Sequence, residues 1–234
     1  MIRLSASKLN LFNECPRCFW LSEKCDIKRP RGPFPTLPGG MDAVLKRYFD
    51  QYLGTVPPEL NGKVPGVLFG KGQEGVLKQM RNWRTGLQYI NDTVSLIGAL
   101  DSLLVDGDRY YPLDFKTKGW APKDSGEQYY QTQLDLYGLL LQENGYLHGG
   151  KGFLVYFFPL HANVASEEFL PVYFGSEVFT LSVEPDRARE VIRNAVECLA
   201  GPIPDPGEGQ YGMCEYCARE FATNQALSHT TQGI

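Results

Sequence analysis

Asp101, Asp114 and Lys116 are the residues of this chain best placed to do chemistry. They stand in Gly98-Ala99-Leu100-Asp101 and, twelve residues on, in Asp114-Phe115-Lys116-Thr117. Both segments read as consecutive β-strands. Two carboxylates at short range hold a divalent cation through hard oxygen ligands. Side chains alternate along a strand, so Lys116 shares a face with Asp114. An ammonium there can orient a water or neutralise charge on a phosphate. Carboxylates, metal and lysine on one sheet face are what phosphodiester hydrolysis requires. The same residues also suit an ordinary hairpin, with Asp114 and Lys116 as a surface ion pair worth ~0–1 kcal/mol.

The flanking sequence supports the strands. Thr93-Val94-Ser95-Leu96-Ile97 leads into Gly98, and Leu100, Leu103, Leu104 and Val105 follow. Asp106-Gly107-Asp108 is a turn signal, and Tyr110 to Lys116 reads as the returning strand. Upstream, Ser5 or Ser7 is an N-cap for a helix to about residue 13. Residues 26–40 and 54–72, rich in proline and glycine, read as loops. Residues 41–52 carry Met41, Val44, Leu45, Tyr48, Phe49 and Tyr52 at helical spacing, and 73–84 reads as a further helix. Downstream, the pattern predicts a long amphipathic helix over 127–143 and an apolar interior strand over 151–159. Strands over 169–174 and 178–183 and a helix over 185–199 follow. This order predicts an α/β fold with a central mixed β-sheet flanked by helices. One domain spans 1–234: an N-terminal helical part (1–90), a sheet core (91–184), and a C-terminal helix with a cysteine segment (185–234).

Six cysteines suggest a metal more than disulfides. Cys15-Pro16-Arg17-Cys18 and Cys214-Glu215-Tyr216-Cys217 each have the spacing that turns two thiolates towards one ion. Together they would complete a four-thiolate site fastening the two chain ends. Zinc and an iron–sulfur cluster both use such ligands, and buried reduced thiols are the plain alternative. Cys198 lies on a helical stretch and reads as core.

At 234 residues with 43% hydrophobic content the chain can bury one good core. A net charge of −4 argues against a broadly basic nucleic-acid coat, although basic residues group locally around Lys28, Lys46, Arg81 and Lys118. No apolar run approaches a membrane span and the N-terminus lacks a signal-peptide core, so a cytoplasmic protein without membrane contact is the expectation.

Gly98-x-x-Asp101 followed by Asp114-Phe115-Lys116 resembles the central motifs of the PD-(D/E)XK nuclease superfamily. Gln133-Leu134-Asp135-Leu136-Tyr137 is similar to the Q-x-x-x-Y motif of its RecB-like branch. Leu4 to Phe12, then Cys15-Pro16-Arg17, resembles the N-terminus of CRISPR-associated adaptation nucleases and AddB-type nuclease domains. The resemblance implies a restriction-endonuclease-like core. It implies Mg²⁺ or Mn²⁺ held by Asp101, Asp114 and the Phe115 carbonyl, with Lys116 acting on the water. Gln133 and Tyr137 would contact DNA or brace the site. It also implies a 4Fe-4S cluster, whose ligands would be Cys15, Cys214 and Cys217, with Cys18 completing the set because the family's last C-terminal cysteine is missing. Lys46 falls where the branch carries a metal-binding histidine, and Asp50 where it carries a glutamate. A protonated lysine cannot ligate metal. None of His148, His161 and His229 is well placed, while Asp42 and Asp50 are alternative metal ligands. Trp120, Tyr129 and Tyr130 offer stacking surfaces for unpaired bases.

The resulting expectation is a Mg²⁺- or Mn²⁺-dependent exodeoxyribonuclease acting on single-stranded DNA or DNA ends. It would serve repair, recombination or CRISPR adaptation, with a helicase or CRISPR integrase as partner. The rival is a non-catalytic nucleic-acid-binding or assembly subunit that keeps the fold.

Overall fold

The computed structural model describes residues 1–30, 36–122, 126–160, 172–205, 208–209 and 212–231. These fall into two compact units, Pro35–Ala188 with Met1, and a unit made of both chain ends, Ile2–Phe34 with Arg189–Ile234. The first half of the expected strand over 169–174 lies outside the described residues, as does His161.

The chain-end unit opens with β1 (Ile2–Leu4), α1 (Ala6–Glu14) and α2 (Pro16–Cys25). Ser5, the first of the two expected caps, accepts the Lys8 amide at 3.3 Å. Cys15 is itself the N-cap of α2: its sulfur accepts the Cys18 amide at 3.4 Å, and Pro16 fills the first turn, where no N–H is needed.

The larger unit begins with α3 (Thr36–Asp50). This helix starts five residues before the expected 41. Pro38 and Gly39-Gly40 occupy its first turns, and amides of a first turn have no intrahelical partner for a proline to disrupt. The expected loop over 54–72 holds a 3₁₀ turn (Pro58–Leu60) and β2 (Val67–Leu68), and the expected helix over 73–84 shortens to α4 (Glu74–Met80). An unanticipated strand, β3 (Leu87–Ile90), pairs antiparallel with β4 (Val94–Gly98). Their turn is closed by Asn91, whose Oδ1 accepts the Thr93 and Val94 amides at 2.9 and 2.7 Å. Four residues are too few for alternation to announce β3.

The hairpin that carries Asp114 and Lys116 is β5 (Ser102–Asp106) and β6 (Arg109–Thr117). Then come α5 (Gln131–Glu143), preceded by a 3₁₀ turn (Gly126–Tyr130), β7 (Leu147–His148), β8 (Lys151–Pro159) and β9 (Phe174–Ser182). The main sheet runs β2-β5-β6-β8-β9, with β7 also against β6. β6 pairs parallel with β8 and β7, and every other pairing is antiparallel, so the sheet is mixed as the pattern implied. The expected strand over 178–183 corresponds to β9, which begins earlier, at Phe174.

Alternation along β6 sorts the two faces. Leu113 and Phe115 join Phe153, Val155 and Phe157 of β8 in a core with Leu45 and Phe49 of α3. The Phe49 and Phe115 rings stack at 4.2 Å between centroids. Asp114 and Lys116 therefore face the other way, towards α5. That helix is buried from Leu134 to Leu141. It approaches β4 so closely that a Cβ on Gly98 would stand 2.2 Å from Leu140 Cδ1. This close approach is the physical reason for a glycine three residues before Asp101.

Helix α6 (Pro185–Ala200) carries the chain back into the terminal unit, which ends with β10 (Glu208–Gly209), β11 (Gly212–Met213) and α7 (Glu215–Thr231). Among the described residues no helix is long and apolar enough to cross a membrane.

Candidate active site and cysteine site

β6 places Asp114 in the interior, 1% exposed, with its Oδ2 2.5 Å from the Lys116 ammonium. Oδ1 accepts Gln133 Nε2 at 3.0 Å. The Lys116 ammonium also lies over the Tyr130 ring, 4.7 Å from its centroid.

Asp101 is not on a strand; it sits in the bend between β4 and β5. One oxygen takes the Lys46 ammonium at 2.8 Å, and the other lies 3.4 Å from the Phe115 amide. Its own carbonyl accepts Arg81 Nε at 2.6 Å. Lys46 reaches in from α3 and also holds Asp42 at 2.8 Å. Asp50, expected beside the site, instead pairs with Arg81 at 2.8 Å. Three carboxylates thus meet two ammoniums, leaving one net negative charge.

Gln133 and Tyr137 brace this arrangement from α5. Gln133 Nε2 also donates to Tyr137 Oη at 2.6 Å, and Tyr137 Oη donates to the Ala99 carbonyl at 3.1 Å. Tyr137 is buried, so its hydroxyl serves the bend that carries Asp101 and not an exterior ligand. His148, on β7, is not among the residues in contact with this site, and Trp120 and Tyr129 are exposed.

The electrostatics suit a cation. Burial, reinforced by the neighbouring Asp101 charge, pushes the Asp114 carboxyl up to about 7 against the pull of Lys116. Burial alone would lower the Lys116 and Lys46 ammoniums, but Asp114 for the first and Asp101 for the second outweigh it and hold both above the ordinary lysine value. A buried carboxylate beside a second carboxylate is a hard-oxygen donor set, and it fits Mg²⁺ or Mn²⁺.

Asp135 lies between Gln133 and Tyr137 in the Q-x-x-x-Y segment. It is 2% exposed and accepts Arg187 Nε and Nη2, each at 2.9 Å, together with the Glu184 amide at 2.7 Å. The signal was present: one acid among Leu134, Leu136 and Leu139 to Leu141 needs a partner.

In the chain-end unit, Cys15, Cys18, Cys214 and Cys217 bring their sulfurs within 4.8 Å of one another, all four buried. The site can hold a metal ion. Each pair straddles a helix N-terminus: Cys15 precedes α2 and Cys214 precedes α7. Burial would raise the Cys214 thiol, but hydrogen bonds from the Cys217 amide, the Cys18 thiol and the Tyr216 amide bring it down to about 7. Arg29, of the basic group around Lys28, donates to Cys214 Sγ at 3.4 Å and to Glu14 at 2.6 Å. It lies over the Tyr216 ring at 4.9 Å. Cys25 is exposed and Cys198 half-buried.

A family model of the PD-(D/E)XK nuclease superfamily matches residues 39–221. The chain belongs to that superfamily, whose members are usually nucleases that use divalent metals. No curated protein matches it. The family match includes the sheet, α5, Cys214 and Cys217, and begins after Cys15 and Cys18.

Proposed function

We propose that the protein is a Mg²⁺- or Mn²⁺-dependent deoxyribonuclease of the RecB-like branch, hydrolysing phosphodiesters in single-stranded DNA or at DNA ends. One observation carries the reading: the buried Asp114 carboxylate stands beside both Lys116 and the Asp101 carboxylate. Asp101, Asp114 and the Phe115 carbonyl are the groups to hold the ion. When bound, it supplies Lewis-acid stabilisation of charge on the phosphate. The protein's own residues do the rest. Lys116, kept protonated by Asp114, donates to the attacking water and to the charge that develops on the phosphoryl oxygens. Gln133 fixes the Asp114 rotamer through Oδ1. Tyr137 fixes the Ala99–Asp101 bend. Trp120 and Tyr129, both exposed, offer stacking faces for unpaired bases. Such an activity suits exonucleolytic processing in repair, recombination or CRISPR adaptation, beside a helicase or integrase partner.

A second reading rests on Lys46. Its ammonium occupies Asp101 Oδ1, where a ligand histidine would leave room for the ion. A non-catalytic DNA-binding or assembly subunit would have this arrangement. Incubation with end-labelled single- and double-stranded DNA in Mg²⁺, Mn²⁺ or EDTA separates the two. The nuclease reading expects cleavage with Mg²⁺ or Mn²⁺ and none in EDTA. Binding without cleavage under every condition supports the second reading.

A further inference from the structure

We infer that the four-cysteine site holds a single tetrahedral Zn²⁺ and not the four-iron cluster that the N-terminal resemblance implies. The spacing of the sulfurs carries this inference. Cys15 Sγ and Cys217 Sγ are 3.6 Å apart, Cys18 and Cys214 also 3.6 Å, and Cys18 and Cys217 3.7 Å. An ion bound to four thiolates at about 2.3 Å sets tetrahedral S···S edges of about 3.8 Å. The observed edges match that value, and all six pairs stay within 4.8 Å. A disulfide would need about 2.05 Å, so the sulfurs are too far apart to be bonded to each other. A four-iron cubane binds each thiolate to a different iron, with inorganic sulfide between the irons, and so spreads its thiolates far more widely than this set allows.

The backbone supports the same compact site. Each Cys-x-x-Cys wraps a helix N-terminus, so the first cysteine caps the helix and the second lies in its first turn. Amides there donate to sulfur, as Cys18 N–H does to Cys15 Sγ. The partial positive charge of a helix N-terminus favours thiolate. Arg29 adds a guanidinium N–H to Cys214 Sγ and is held in place by Glu14 and Tyr216. A tetrathiolate zinc centre carries a net charge of about −2, and two helix N-termini and a clamped arginine offset it. Pairing Cys18 with Cys15 in the first turn of α2 also accounts for the missing family cysteine: the N-terminal helix supplies two ligands instead of one.

The inference is independent of the nuclease reading and is tested without DNA. The full chain is purified anaerobically from cells supplied with both iron and zinc, and metals and acid-labile sulfide are measured. The expected result is about one zinc per chain, no sulfide, and a colourless protein. Replacing zinc with Co²⁺ should give the intense visible bands of a tetrahedral thiolate site. Cys25→Ser should keep the full zinc content, while Cys18→Ser should lose most of it. Iron with sulfide and a brown colour, in the purified protein or after anaerobic reconstitution with iron and sulfide, would overturn the inference. So would six free thiols with neither metal.

Discussion

Lys46 and Lys116 treat the two site carboxylates differently. Lys116 stands on the same strand as Asp114 and moves with it; Lys46 comes from a helix and competes for Asp101 with any cation that binds there. Lys46→His should therefore raise Mn²⁺ affinity by roughly tenfold, since it removes an ammonium and offers a neutral ring nitrogen. Isothermal titration decides this, and an unchanged affinity shows that Lys46 does not contest the ion's place. Asp114 sets the pH dependence. Its carboxyl is pushed up to about 7 by burial and by Asp101, so below that pH a proton holds the oxygens the ion needs. Mn²⁺ affinity should fall by up to about tenfold per pH unit below 7 and level off above it. A flat affinity from roughly pH 5.5 to 8, measured in the same way, contradicts this. Asp101, Asp114 and Lys116 were legible in the sequence because strand alternation puts 114 and 116 on one face. The pairing of Lys46 with Asp101 was not, because α3 and the β4–β5 bend meet only in the folded chain.

Helix α5 organises the site as a unit. Its Gln133 and Tyr137 fix the carboxylates, and midway between them Asp135 anchors Arg187 and the start of α6. Asp135→Ala should destabilise the protein by roughly 2–4 kcal/mol in urea unfolding, by leaving the Glu184 amide without its acceptor and removing the buried carboxylate that pairs with Arg187. The figure is kept modest because Arg187 is 37% exposed and water can replace part of the loss. A change below about 0.5 kcal/mol would show that the pair is a surface contact. At this scale the long elements were readable, since β6, β8, α5 and α6 each show several periods of their pattern. The start of α3 was hidden by Pro38 and two glycines, which normally mark loops yet are tolerated in a first turn. β2 and β3, at two and four residues, exist through their partners and carry no pattern of their own.

The molecule ties its two ends together, with ligands from Cys15 and Cys18 meeting those from Cys214 and Cys217. Closing a loop of about two hundred residues removes roughly 5 kcal/mol of unfolded-state entropy by the loop-closure relation. Cys214→Ser, or strong chelation, should therefore lower the melting temperature markedly, while Cys25→Ser leaves it unchanged; equal melting of both variants would show that the thiolates do not clasp the chain. Two Cys-x-x-Cys pairs were visible as a metal site from spacing alone, but the sulfur separations that decide between one ion and a cluster exist only in the fold. The central claim concerns catalysis, and the most direct measurement is cleavage of end-labelled single-stranded DNA in Mn²⁺ by wild type, Asp114→Ala and Lys116→Ala, with circular dichroism confirming that each is folded. The account predicts cleavage by wild type that EDTA abolishes, and a loss of at least about a hundredfold in each folded variant. Lys116→Ala cutting at the wild-type rate would contradict it.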